Sequence, residues 1–261
     1  MQGSLLLVPE IERAAQIIDG QHRVAGIKAA ILENAEVVKL ELPVAFYKGL
    51  NTRECANIFI SINTEQKPVP RSLVFDLYGI ASESIVDPAA VRARDIAVSL
   101  NEDQSSPYYE LVKFPGSPRT KGGIALSTVV GAIKPLIEEK GVFDQIGITE
   151  LERQRQGFLN LFQAISKLYG EKWNDRSNAF LYAAGFTGAI EFLKNRIVPY
   201  CTTKKSFKSE VILDALKSLA ANLVAQSEIK GLGGKDAPKR IYERLNAAFE
   251  PNQDVPSQLE I

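Results

Sequence analysis

Five consecutive polar residues follow a short apolar run in the stretch AQIIDGQHRVAGI. Asp19 and Gly20 form a turn signal, and a helical pattern begins at Gln21. A strand that leads through a tight turn into a helix start directs backbone N–H groups at one point, which suits an anion. His22 and Arg23 lie at the positive end of that helix, where cations are unfavourable unless an anion joins them. The pattern therefore predicts a phosphate-binding turn.

Each residue of this turn offers a different group to such a site. Gly20 lets a ligand approach the backbone closely, and Gln21 both donates and accepts hydrogen bonds. His22 donates a hydrogen bond or transfers a proton near neutral pH, and Arg23 offers a forked donor that matches phosphate. Asp19 is the turn former, a magnesium ligand or a general base. We predict Asp19 and His22 as catalytic and Gly20 to Arg23 as phosphate ligands; the alternative is an ordinary surface turn.

A second polar stretch, NTEQKPV, follows the helix that the sequence predicts from Thr52. Asn63 and Gln66 carry side-chain amides and Lys67 adds a positive charge, so we predict that these three close a pocket over a ligand at the first turn. The alternative is structural, with Asn63 as the helix cap and Pro68 as the helix stop.

The two stretches IIDGQHRVAGI and FISINTEQKPV resemble the motifs of the DGQHR-domain family, which includes DndB-like proteins associated with phosphorothioate modification of DNA. That family is similar in fold to ParB and sulfiredoxin, and it resembles DGQQR-type modification-dependent restriction proteins. In these relatives the turn and its arginine bind a nucleotide or a phosphate. The resemblance covers residues 1–80. Because position 21 is Gln rather than Cys, sulfiredoxin-type thiol chemistry is not expected.

This resemblance implies a DNA-modification or phage-defence protein that binds a nucleotide or phosphate and acts on or regulates DNA, with or without nucleotide hydrolysis. The alternative function is a non-enzymatic DNA-binding transcriptional regulator of a DNA-modification gene cluster. The cofactor hypothesis is a nucleoside triphosphate with Mg²⁺, and its alternative is no cofactor. The expected partners are DNA, a nucleotide and a second copy of the chain, in the cytoplasm.

The elements around the turn indicate an α+β chain. Ala15–Ile18 reads as a short buried strand and Val38–Phe46 alternates as a half-buried strand. A helix is predicted from Gln21 to Asn34, with an apolar face, and another from Thr52, where Asn51 and Glu54 have the spacing of a capping box. An apolar run at Leu5–Val8 is a further strand, and family members carry more strands before the motif, so we expect upstream strands to be missing.

The strands give way to helices alone near residue 70, which suggests two domains. We expect a ParB/sulfiredoxin-like DGQHR domain at 1–80, a helical domain at 81–250 and a flexible tail at 251–261. Asp87 followed by Pro88 marks one helix start in the second part.

Two basic segments of the helical part are candidate contacts to a DNA backbone. One contains Lys204, Lys205 and Lys208, and the other contains Lys235, Lys239 and Arg240. The alternative is that they are solvated lysines at helix ends.

Composition restricts the remaining function classes. Lysine plus arginine equals aspartate plus glutamate at 31 each, so no net charge steers the chain towards nucleic acid. Two cysteines and one histidine without ligand spacing predict no metal centre. No apolar run reaches the roughly 18 residues of a membrane span, so no membrane partner is expected.

Overall fold

The computed structural model describes residues 11, 14–65, 70–81, 86–117 and 123–251. The chain divides into two compact units. Unit 1 comprises Met1–Val69 and Ile80–Ile85, and unit 2 comprises Pro70–Gly79 and Val86–Ile261. The apolar run Leu5–Val8 predicted as a strand lies outside the described residues.

Two helices organise unit 1. Helix α1 spans Gln21–Glu33 and ends where the backbone N–H of Asn34 donates to Ala30, as the sequence predicts. Helix α2 spans Thr52–Glu65. The predicted capping box is confirmed: the backbone N–H of Glu54 donates to Asn51 Oδ1 at 3.0 Å, and Glu54 Oε2 accepts from the backbone N–H of Asn51 at 2.7 Å. These reciprocal bonds satisfy donors at the start of α2.

The predicted strand at Val38–Phe46 is wrong. Residues Ala35–Lys39 form a 3₁₀ helix, and residues 40–50 have no ladder partner among the described residues. The alternating apolar side chains are more than half exposed, from Leu42 at 51% to Val38 at 67%. Alternation specifies two faces of a chain, but a strand also needs backbone bonds to a neighbour.

The stretch Ala15–Ile18 likewise shows no strand pairing among the described residues, so that prediction is also wrong. Each of these two apolar patterns lacks, within the described ranges, the neighbouring strand that would pair with its backbone. The described residues of unit 1 do not confirm a ParB/sulfiredoxin-like fold.

Unit 2 is mostly helical. Its helices are α3 Arg71–Leu77, α4 Pro88–Glu102, α5 Leu126–Ile137, α6 Val142–Gln145, α7 Leu151–Tyr169, α8 Ala183–Phe192, α9 Val198–Thr203, α10 Ser209–Ala215 and α11 Asp236–Ala247. A π-helical turn, Leu193–Ile197, joins α8 to α9. The predicted start of α4 is confirmed, because Asp87 Oδ1 accepts from the N–H groups of Ala89 and Ala90 and Pro88 occupies the first turn.

A small parallel sheet contains both β-strands found in the described part of the chain. Strand β1, Val112–Lys113, pairs with β2, Ile124–Ala125, in the register Val112 to Ile124. Gly123 precedes β2 at φ +83°, and a Cβ there would lie 2.7 Å from the carbonyl oxygen of Leu111, so only glycine fits. The chain is thus α+β in the coarse sense: helices with a minor sheet.

Aromatic side chains form the centre of the unit 2 core. Tyr108 is fully buried, lies 4.8 Å from Phe162 between ring centres, and donates its hydroxyl to the carbonyl of Phe180 at 2.8 Å. Burial raises the pKa of the Tyr108 phenol well above its usual value. Trp173 is 5% exposed and also belongs to the core. Within the described residues, no helix is both long and apolar enough to cross a membrane.

Candidate phosphate-binding turn

Gly20 sets the entry of the chain into α1. It is the N-cap residue at φ +91° and ψ +9°, a left-handed conformation that L side chains rarely adopt. Its carbonyl accepts the first helical bond, from the N–H of Val24 at 3.0 Å. Because glycine has no side chain to cap the helix and the first turn holds no acidic residue, the first backbone N–H groups are available to a ligand. This geometry suits an anion.

Arg23 and Asp19 form an ion pair across this turn, with Arg23 Nη2 2.6 Å from Asp19 Oδ2. The Arg23 side chain is 73% exposed and that of Asp19 30%. The guanidinium lies over Gly20, since a Cβ there would be 3.3 Å from Arg23 Nη2. An exposed pair of this kind contributes about 0–1 kcal/mol, so a stronger acceptor can displace the carboxylate.

Gln21 and His22 lie on the first turn of α1, and both are exposed. Neither side chain has a hydrogen bond to another residue in the part of the chain that the structure describes. Their side chains are therefore free to contact a ligand, and their predicted roles as ligand and proton donor stay predictions.

The second polar stretch is only partly described. Asn63 lies within α2, which continues to Glu65, so Asn63 does not cap the helix as the structural alternative required. The side chain of Asn63 and the whole of Gln66 and Lys67 lie outside the described residues. Their predicted place in a pocket stays a prediction.

Asp19 is the carboxylate at this turn that could hold Mg²⁺. Magnesium sites of nucleotide-binding proteins take one or two carboxylates together with substrate phosphates. In this structure the Asp19 carboxylate already accepts from Arg23, so the guanidinium and a cation compete for it. Across the described residues, no group of three or more His, Cys, Asp or Glu side chains is placed to hold a metal ion. Asp19 could therefore hold Mg²⁺ only if Arg23 released its carboxylate.

The two predicted basic segments lie towards opposite ends of helix α11. A Cβ on Gly188 of α8 would lie 2.5 Å from the carbonyl of Pro238, and further on Arg196 donates to Asn246 at 2.6 Å. The chain through α8 and α9 therefore runs parallel to α11. The twelve residues of α11 span about 18 Å at about 1.5 Å each. Lys204, Lys205 and Lys208 follow α9 near the C-terminal end of α11, where Tyr200 contacts Phe249. The other segment begins at the N-cap Lys235 and continues into the first turns of α11 with Lys239 and Arg240.

The basic side chains at the two ends are differently engaged. Lys204 Nζ lies 6.0 Å from the ring centre of Tyr200. Lys239 and Arg240 lie near carboxylates, 3.9 Å from Glu243 and 3.8 Å from Glu228. Lys205 and Lys208 follow α9, and Lys235 precedes α11. The structure does not combine these residues into one patch.

Sequence reasoning missed a cleft of about 610 Å³ in unit 2, lined by residues of 105–111, 163–174 and 209–210. No local motif could have identified it, because its walls come from three segments brought together by the packing of α7 and α10.

Comparison with known proteins gave one match. A family model described as "DndB: DNA-sulfur modification-associated" matches residues 3–174, which is 172 of the 261 residues. The match includes the turn at Asp19 to Arg23. No curated protein and no solved structure matches the chain.

Proposed function

Because the chain belongs to the DndB family of DNA-sulfur modification-associated proteins, we propose that it binds nucleotide phosphates at the turn. In this proposal the nucleotide-bound protein regulates or acts on DNA. One observation carries this proposal. The Arg23 guanidinium lies over the left-handed Gly20 at the start of α1, held by a carboxylate that is easily displaced. The turn thus brings the forked guanidinium of Arg23 and the free N–H groups of α1 to one point, where Gly20 lets a ligand approach the backbone closely.

The chemistry of binding is an exchange of acceptors. An arriving phosphate offers Arg23 two oxygens in place of one carboxylate oxygen, and charge-assisted bonds of this kind are among the stronger ones in proteins. The N–H groups of the first turn of α1 point at the same anion. Asp19 is released by the exchange, and it is then the carboxylate available to Mg²⁺ or to a water molecule. Gln21 and His22 add side-chain hydrogen bonds.

Asn63, Gln66 and Lys67 complete the pocket in this proposal, by supplying amide donors and a further positive charge. The family motif that contains them supports their inclusion. Hydrolysis of the nucleotide needs Asp19 or His22 to accept a proton from water. Release of phosphate from a nucleoside triphosphate, measured with and without Mg²⁺, separates a hydrolase from a nucleotide sensor.

We also propose the ParB/sulfiredoxin-like arrangement for unit 1, which the resemblance of its two motifs to the DGQHR-domain family implies. Amide hydrogen exchange over unit 1 tests the proposal. Slow exchange in segments outside α1 and α2 is the expected result, and uniformly fast exchange there would contradict it.

The second candidate function is a non-enzymatic DNA-binding regulator. The observation that favours it is that the two basic segments lie towards opposite ends of α11, a helix about 18 Å long. Phosphates of one DNA strand follow one another about every 3.4 Å along the axis of the double helix, so the length of α11 corresponds to roughly five of them. Nucleotide titration separates the functions, since a ligand at 100 times its Kd stabilises the folded state by about 2.7 kcal/mol. Salt-dependent DNA binding without any nucleotide effect favours the regulator.

A further inference from the structure

A surface cleft of about 610 Å³ lies within unit 2, and none of its lining residues has a role assigned above. One wall is a face of α7 that carries Gln163, Ser166 and Lys167, at helical spacings of three and four. The other walls are the loop around Tyr109 and the 3₁₀ helix that ends at Asn174. A cleft of this volume is within the range of small-molecule sites, about 300–1,000 Å³.

The loop that carries Tyr109 is rigidly held. Its neighbour Tyr108 is anchored in the core by the bond to the carbonyl of Phe180. Glu110 has a left-handed backbone at φ +57°, and its N–H donates to the carbonyl of Asn101 at 2.9 Å. A non-glycine residue in this conformation needs such support from its surroundings. The loop thus presents Tyr109 at the cleft in a preorganised form, which lowers the cost of binding.

The charges at the cleft cancel. Lys167 Nζ lies 3.4 Å from Glu210 Oε1. Among the described lining residues, Lys167 carries the one ammonium group and Glu210 the one carboxylate. The hydroxyl of Ser209 also donates to Glu210 Oε1, at 3.2 Å. A phosphate or another anion therefore gains no net attraction here. The ligand chemistry that fits is uncharged.

The remaining lining groups match a flat heteroaromatic molecule. Tyr109 is 39% exposed, which leaves a π-face for stacking. Gln163 donates through Nε2 to the carbonyl of Ser105 at 3.3 Å, which leaves its Oε1 as an acceptor. Asn174 offers a donor and an acceptor side by side, and Ser166 adds a hydroxyl. Side-chain amides of this kind pair with the edges of nucleobases.

We propose that this cleft binds a nucleobase, which stacks on Tyr109 and is hydrogen-bonded by Gln163 and Asn174. The base belongs to a free deoxynucleoside or to an unpaired position in a DNA strand. The inference rests on the proposed function in taking DNA or a nucleotide as partner, but it does not depend on phosphate binding at Arg23.

Trp173 makes the test direct. It is the single tryptophan of the chain and it lines the cleft, so its fluorescence reports on occupancy. The full chain is titrated with each of the four deoxynucleosides and with a short single-stranded oligodeoxynucleotide, with excitation at the red edge of the tryptophan band where bases do not absorb. We expect a saturable change for at least one deoxynucleoside or for the strand. If the oligodeoxynucleotide binds more tightly than the free deoxynucleosides, the base is supplied by DNA.

Substitutions test whether the fluorescence change arises from binding in the cleft. Tyr109→Ala is expected to raise the Kd at least about fivefold, the lower end of the range for removal of a base stack, while Tyr109→Phe keeps the ring and the affinity. Tyr47→Ala removes an exposed tyrosine of unit 1 and should leave the Kd unchanged. Arg23→Ala should also leave nucleoside binding unchanged, because a nucleoside has no phosphate. Failure of the phosphate site is thereby distinguished from failure of this one.

Three results would overturn the proposal. The first is no saturable change with any deoxynucleoside or strand. The second is an unaltered Kd in Tyr109→Ala, and the third is saturable binding of a neutral sugar or peptide in preference to every base.

Discussion

Arg23 Nη2 lies 2.6 Å from Asp19 Oδ2, one helical turn away, and the two side chains close over the backbone of Gly20. The pair neutralises a cation at the start of α1, where the helix dipole disfavours it. A phosphate would also neutralise the charge of Arg23, and it offers more oxygen atoms as acceptors. In the proposed function, the ion pair therefore marks the position that the phosphate would occupy.

Replacement of Gly20, the N-cap of α1, is predicted to lower the stability of the protein, whereas replacement of Gly26 within α1 is not. Gly20→Ala must adopt φ +91° and approach Arg23 to 3.3 Å, so we expect a loss of about 1–2 kcal/mol at the start of α1. Gly26 has no atom within 4 Å of an added Cβ, and Gly26→Ala should gain up to about 1 kcal/mol of helix stability. Helical circular dichroism during urea unfolding measures both. Equal effects of the two substitutions would contradict this account of the turn.

Asp103 is predicted to make unit 2 less stable in acid. Its carboxylate accepts from the hydroxyl and the N–H of Ser105, at 2.7 and 2.8 Å, and these bonds together with Arg155 lower its pKa despite partial desolvation. A lowered pKa in the folded state means that the stabilisation is complete above the ordinary pKa and is lost as the pH falls through the folded one.

Asp103→Asn should therefore flatten the acid side of the stability profile, measured by melting temperature against pH. Glu102→Gln, a neighbouring exposed residue, is the matched control and should keep the wild-type profile. A profile that is unchanged in Asp103→Asn would show that Asp103 is not a source of the acid sensitivity.

The two cysteines are predicted to differ in reactivity. Burial raises the pKa of the Cys201 thiol to about 12, so almost no thiolate is present at neutral pH. Cys55 is partly exposed on α2. Alkylation of the folded protein, mapped by mass spectrometry, should modify Cys55 first and Cys201 only after denaturation. Early modification of Cys201 would mean that the core of unit 2 opens readily.

The basic segments give a prediction about DNA. Replacement of Lys204, Lys205 and Lys208 by Gln should weaken DNA binding to a similar degree for all sequences, because phosphate contacts do not read bases. The slope of log K against log salt should shrink by about 0.9 for each DNA phosphate that the variant no longer neutralises. Replacement of Lys28, Lys48 and Lys172, which are exposed elsewhere, is the control with the same charge change. An equal effect of both triple variants would remove these segments from the interface.

Local rules of sequence predicted the local features well. The start of α1 after Gly20, the capping box at Asn51 and the Asp87 cap of α4 each depend on residues within four positions of one another. The strand at Val38–Phe46 failed because its existence depends on a distant partner strand. The cleft beside Tyr109 was missed for the same reason, since its walls meet only through tertiary packing. The ion pair of Asp19 and Arg23 has the helical spacing i, i+4, but this spacing alone does not specify that the guanidinium lies over Gly20.

Calorimetric titration of the wild-type chain and the Arg23→Ala variant with nucleoside triphosphates, with and without Mg²⁺, tests the central claim most directly. We expect that a nucleotide binds the wild type and that Arg23→Ala loses about 1.5–3 kcal/mol of binding free energy, the value of a charge-assisted hydrogen bond. Lys28→Ala removes an exposed charge from the same helix and should bind like the wild type. Nucleotide affinity that is unchanged in Arg23→Ala would contradict the claim that this turn holds the phosphates.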